Sequence, residues 1–108
     1  MDFSLNEEQR HWQSEARKFS DEELRPRSLE RDQIEGAFEP WDWNIIEQGS
    51  KLGFRTLAVP KAWGGPGADF VSQALVMAEL ARGDSAMSKA FSQNWKWSHL
   101  IASACTED

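Results

Sequence analysis

The chain reads as an all-α domain of four or five helices, and three observations carry that reading. Trp12, Ala16 and Phe19, with Glu23, fall on one stripe at helical spacing. Helix start and stop residues stand where such helices need them: Asn6 with Gln9, Gly53, Gly83 and Asp84. The one stretch with strand-like content, Phe54 to Val59, has no second strand to pair with. A length of 108 residues fits one domain over 1–108 with a modest core.

The first helix is expected near Glu7. Asn6 caps it through its side-chain oxygen, with Gln9 as the reciprocal capping-box partner. Glu7 and Glu8 complement the positive helix end. Asp21 with Arg25, and Glu23 with Arg27, stand at i,i+4 spacing. Pro26 stops or kinks the helix, with a further turn through Leu29 before Asp32. Residues 32–39, containing Gly36, read as a loop.

The second helix is expected to begin at Pro40, whose fixed φ suits the first helical position. Trp41, Ile45, Gly49 and Leu52 make its expected buried face, and Gly53 ends it in a left-handed conformation. Phe54 to Val59 is an extended link over the core. The third helix, Phe70 to Arg82, is apolar almost all round. Val71, Ala74, Leu75, Ala78 and Ala81 form one face, Val76 and Leu80 the other, with Ser72 and Glu79 as a narrow polar strip. Such a helix belongs in the middle of something. Asp84 caps a fourth helix carrying Met87, Ala90, Phe91 and Trp95 at i, i+3, i+4 and i+8. Leu100 to Asp108 could start a fifth.

Charge and composition exclude several functions. A net charge of -6 argues against a nucleic-acid surface. No segment is long and apolar enough to span a membrane. The single cysteine, Cys105, allows no internal disulfide and no cysteine metal cluster. Met1 to Ser4 lacks the regions of a signal peptide, so a cytoplasmic location is expected. Neither His11 nor His99 has a second ligand at metal spacing. No Gly-x-Ser-x-Gly elbow occurs. Six Trp and six Phe with no Tyr include two Trp-x-Trp pairs, Trp41/Trp43 and Trp95/Trp97. Two residues make about 200° of helix, so one ring of each pair faces away from the core.

Gly64-Gly65-Pro66-Gly67 reads as a tight turn. A phosphate cradle needs converging backbone N–H groups, and Pro66 has none. Glu79 is the carboxylate that burial most perturbs, with Arg82 as its i,i+3 partner. Ser92 and Gln93 are small or polar groups beside bulky Phe91 and Trp95, a combination that can line a pocket. An exposed polar end of a helix is the alternative.

In order, these parts resemble the N-terminal helical domain of the acyl-CoA dehydrogenase superfamily. The resemblance rests on Asp2-Phe3-Ser4-Leu5-Asn6-Glu7-Glu8-Gln9 and on Leu52-Gly53-Phe54. It extends through Val59-Pro60-Lys61-Ala62-Trp63-Gly64-Gly65-Pro66-Gly67, Ala78-Glu79-Leu80-Ala81-Arg82-Gly83-Asp84 and Thr106-Glu107-Asp108. Ala78, Lys89 and Trp95-Lys96-Trp97 depart from the family pattern. The resemblance implies a middle β-barrel domain and a C-terminal helical domain beyond 1–108. It also implies FAD and an acyl-CoA substrate for the intact enzyme, oxidised at the α,β bond. By the same resemblance, Phe91, Ser92, Gln93 and Trp95 contribute to substrate binding. The flavin motif and the catalytic glutamate belong to the other two domains, so no cofactor, metal or catalytic residue is expected in this chain alone. A homo- or hetero-oligomer is expected. A related flavin oxidase or monooxygenase, or a non-catalytic helical interaction module, are the other readings of the same parts.

Overall fold

The computed structural model describes residues 2–36 and 41–106. Five α-helices follow in order: α1 (Glu7–Phe19), α2 (Arg25–Asp32), α3 (Trp43–Lys51), α4 (Phe70–Gly83) and α5 (Ser85–Ala104). No strand occurs among the described residues. Helix α1 lies along α4, and α4 along α5.

The capping box of α1 forms as expected. Asn6 Oδ1 accepts from the Gln9 N–H at 2.8 Å, and Gln9 Oε1 accepts from the Asn6 N–H at 3.0 Å. Pro26 does not stop the chain. The preceding turn, Ser20–Leu24, widens to a π-turn in which the Arg25 N–H donates to the Ser20 carbonyl. Widening there relieves the proline ring of the carbonyl four residues back, so α2 continues with Pro26 in its first turn. The wider turn also unstacks the expected i,i+4 ion pairs. Asp21 instead accepts from Arg82 of α4 at 2.8 Å.

Helix α3 is capped by Asp42, whose Oδ1 accepts from the N–H groups of Asn44 and Ile45. The expected start at Pro40 lies outside the described residues. Ile45 and Gly49 are buried as expected, while Trp41 and Leu52 are exposed. Gly53, at φ +94°, ends the helix. Its N–H donates to Ser50 O and that of Phe54 to Gly49 O, the paired bonds of a Schellman cap. The link from Phe54 to Val59 is a run of turns rather than the expected extended link. With no neighbouring strand, its polar groups bond locally and across the loop: Val59 N–H to Thr56 O, Ala68 N–H to Leu57 O.

Phe54 carries the core. Its ring centroid lies 5.5 Å from Phe19, 6.2 Å from Phe91 and 6.4 Å from Trp12. Trp95 Nε1–H donates to the Phe54 carbonyl at 2.6 Å, so the ring nitrogen is satisfied although the ring is buried. The other member of that pair, Trp97, is exposed. Trp41 and Trp43 are both exposed and stack edge to face at 5.7 Å. Gly49 lets α3 reach Phe91, because a Cβ there would collide with that ring.

Helix α4 buries only one side of its almost all-round apolar surface, the side of Val76 and Leu80. Ser72, Val76, Glu79, Leu80 and Gly83 are buried, while Val71, Ala74, Ala78 and Ala81 are exposed. Close approach decides this. A Cβ at Gly83 would meet Ser20 Oγ and Leu24 Cβ, so only glycine lets the π-turn pack there. Glu79 points inward because Arg17 of α1 meets it, Nη2 to Oε1 at 2.8 Å, with Arg82 on its other oxygen at 3.2 Å. Hydrogen bonding to Arg17 outweighs the burial that opposes it and lowers the Glu79 pKa below its ordinary 4.5. Burial therefore does not raise this carboxyl.

The expected separate helix from Leu100 does not form, because α5 runs on to Ala104. Asp84 Oδ1 caps α5 through the N–H groups of Ala86 and Met87. Its Oδ2 accepts from Arg31 Nε at 3.1 Å and Nη2 at 2.9 Å. Arg31 is 7% exposed, and its Nη2 also donates to the Leu24 carbonyl. Its Nη1 lies 3.9 Å from Oδ2 of Asp42, the cap of α3. One guanidinium thus faces the caps of two helices.

Replacing Arg31 by Met should destabilise the domain by about 3–5 kcal/mol, because a buried carboxylate is left without its partner. Adding Asp84→Asn should recover part of this, since Asn still caps α5. Urea midpoints of the single and double variants check both outcomes.

Glu79 makes stability depend on acid. Its folded pKa is lowered, so its contribution is present above the ordinary 4.5 and lost as pH falls through the depressed folded value. Glu79→Gln should flatten the stability profile below about pH 4.5 relative to wild type. Thermal unfolding across an acid pH series measures it.

The outer face of α4 is apolar and open, with Phe70 71% exposed and Val71 and Met77 about half exposed. The Phe70 ring meets His99 of α5 at 5.7 Å, and Trp97, Leu100 and Ile101 of α5 are exposed as well. Monomers rarely expose contiguous apolar patches larger than about a few hundred Å². The isolated 108-residue chain should therefore self-associate or bind a hydrophobic dye. Sedimentation across a wide concentration range reads this out, and a dye-silent monomer would contradict it.

Candidate functional site

Helix α5 carries the residues to which the sequence assigns substrate binding, and three contacts fix its position. Asp84 with Arg31 holds its N-terminus. Ser88 Oγ–H donates to Met77 O of α4 at 3.0 Å. Trp95 Nε1–H holds its middle to the loop after α3. At about 100° per residue, these anchors all lie on one side of the helix.

The four expected site residues divide between the two sides. Phe91 and Trp95 point into the core, against Phe19, Phe54 and Gly49. Ser92 and Gln93 lie half-buried on the flanks that lead to the outer face. Ser92 Oγ–H donates to the Lys89 carbonyl at 3.2 Å, which leaves the oxygen's lone pairs able to accept. The Gln93 amide makes no hydrogen bond among the described residues. Lys89 and Lys96 are exposed beyond them.

Two hollows adjoin this helix. A cleft of about 640 Å³ lies at its N-terminus, between Arg25, Leu29, Arg31, Trp41, Asp84 and Ser85. A groove of about 600 Å³ lies at its other end, walled by Val59, Pro60, Trp63, Ile101 and Ala102. Cys105 stands exposed beside that groove.

The glycine turn does not offer its N–H groups to a ligand. Gly64 N–H donates to Lys61 O, Gly65 N–H to Pro60 O and Gly67 N–H to Val59 O. Gly64 and Gly67 have positive φ, and a Cβ on Gly65 would collide with Val59. The glycines serve the turn itself. His11 packs on Trp12 and His99 on Phe70. No group of three metal-binding side chains occurs among the described residues. No helix there is long and apolar enough to cross a membrane.

Sequence reasoning missed Arg31, a buried side chain that donates three hydrogen bonds. Its partner Asp84 is 53 residues away, so no local spacing announces the pair. It also missed Arg17 as the main partner of Glu79, 62 residues distant. Only the nearer Arg82 was visible as an i,i+3 pair.

Comparison with known proteins agrees with this architecture. The family described as acyl-CoA dehydrogenase, N-terminal domain, matches residues 6–108. A relative in Caenorhabditis briggsae bears the name "Probable medium-chain specific acyl-CoA dehydrogenase 2, mitochondrial". It is 36% identical over 83 residues, which cover 77% of this chain and 19% of the relative. The chain thus spans about a fifth of that relative's length. No solved structure matches significantly. With its capped α1, its glycine turn and its buried Glu79 helix, the chain belongs to the acyl-CoA dehydrogenase family, as that family's N-terminal domain.

Proposed function

We propose that this chain is the N-terminal part of a flavin-dependent enzyme that oxidises the α,β C–C bond of an acyl-CoA thioester. In this reading α5 forms part of the wall that the acyl group meets, with Ser92 and Gln93 at its surface. The observation that carries the reading is family membership across residues 6–108. The relative's name, which includes acyl-CoA dehydrogenase, supports it. Phe91 and Trp95 act from behind, by setting the position of the α5 backbone against the core.

FAD is the cofactor the family implies. The residues described here do not fit it. The glycine turn has consumed its N–H groups, and no dinucleotide fingerprint occurs in the sequence. The domain's part is to shape and wall the substrate site, and flavin binding falls to other parts of the enzyme.

Purified full-length polypeptide carrying this domain should contain flavin and reduce an electron acceptor with saturated acyl-CoA. Absence of flavin, or of any acyl-CoA-dependent reduction, would overturn the reading in favour of a non-catalytic interaction module. Gln93→Leu should alter kcat/KM ratios across an acyl-CoA series and leave flavin content unchanged. Loss of a buried hydrogen bond to a polar acyl group costs about 1–3 kcal/mol. Unchanged ratios would mean that Gln93 meets no substrate.

A further inference from the structure

Helix α5 concentrates positive charge with nothing to balance it. Its 20 residues include Lys89 and Lys96 and not one Asp or Glu, in a chain whose net charge is -6. No ion pair among the described residues involves either lysine. At about 100° per residue, Lys89, Ser92, Gln93 and Lys96 share one stripe about 100° wide. The stripe runs from the flank beside Trp95, at Ser92, round to Gln93 on the side away from buried Phe91 and Trp95. Along the axis the two lysines are about 10 Å apart, with Ser92 and Gln93 between them.

The charge matters once this face is covered. An ammonium packed against an alkyl chain loses its water and gains no partner, which is strongly unfavourable. An anionic group removes that cost by forming charge-assisted hydrogen bonds. The Gln93 amide, unpaired among the described residues, adds a neutral donor between the two lysines along the helix axis. A saturated fatty acyl chain uses none of these groups.

Resting on the reading of α5 as an acyl-binding wall, we propose that the enzyme prefers acyl-CoA thioesters whose acyl chain ends in a carboxylate. Lys89 and Lys96 bind that carboxylate and set the specificity, with Gln93 donating beside them.

Adipyl-CoA and hexanoyl-CoA provide the test, because they share six carbons and the same carrier and differ in the terminal carboxylate. The wild-type full-length enzyme should show the higher kcat/KM with adipyl-CoA. Lys89→Met and Lys96→Met should each lower the adipyl-to-hexanoyl kcat/KM ratio by roughly ten- to a hundred-fold, the range for a hydrogen bond to a charged group. Arg at either position should retain most of the ratio. A ratio that stays constant while both substrates lose efficiency assigns the lysines to the phosphates of the carrier and overturns the proposal. A constant ratio with no loss places them in solvent and overturns it too. If neither thioester reacts and the protein holds no flavin, the underlying acyl-CoA reading fails, and this proposal with it. Turnover of both thioesters with no preference in wild type rejects the carboxylate specificity alone.

Discussion

The domain is organised around one buried guanidinium. Arg31 donates twice to Asp84 and once to the Leu24 carbonyl, and faces Asp42. Each aspartate divides its two oxygens, with Oδ1 capping a helix and Oδ2 turned toward Arg31. The starts of α3 and α5 and the end of the π-turn are therefore referred to a single side chain. Buried charge of this kind contributes little net stability against an apolar replacement of the same shape, but a broken pair is costly. Its effect is to define which arrangement of helices is allowed.

Close backbone approach does the rest of the positioning. Gly83 admits the π-turn against α4, and Gly49 admits Phe91 against α3. Once Gly83 and Glu79 turn inward to meet the first helical segment, the large apolar residues Phe70, Val71 and Met77 must face outward. The outer face of α4 is a consequence of that packing. It meets α5 through the Phe70–His99 contact.

Helix α5 divides its residues between two sides. Its inner side is spent on Phe91, Trp95 and Ser88, each with a core or hydrogen-bonding duty. Its outer side is left with Lys89, Ser92, Gln93 and Lys96, which have few partners within the domain. One face of the helix is thus held rigidly against the core, and the other presents polar groups toward solvent.

Local physics made much of this legible in the sequence. The capping box of Asn6 and Gln9, the Asp84 cap and the Gly53 stop each depend on neighbours within a few residues, and each forms as read. The all-α class followed from helical spacing and from the lack of a strand partner for Phe54 to Val59. Four residues of α5 were expected at the substrate, but helix rotation sends Phe91 and Trp95 to the core and Ser92 and Gln93 outward. Periodicity could not decide which face of α4 is buried. Hydropathy ranks Val71 and Ala74 above Glu79 and Gly83, whereas the inward face is chosen by an arginine 62 residues away and by a backbone that needs a residue without Cβ. The sequence by itself determined the caps and stops at Asn6, Gly53 and Asp84, because these are short-range. The passage of the chain through Pro26, and which faces meet and which residues stay exposed, were decided only in the tertiary structure, because those contacts join groups more than fifty residues apart.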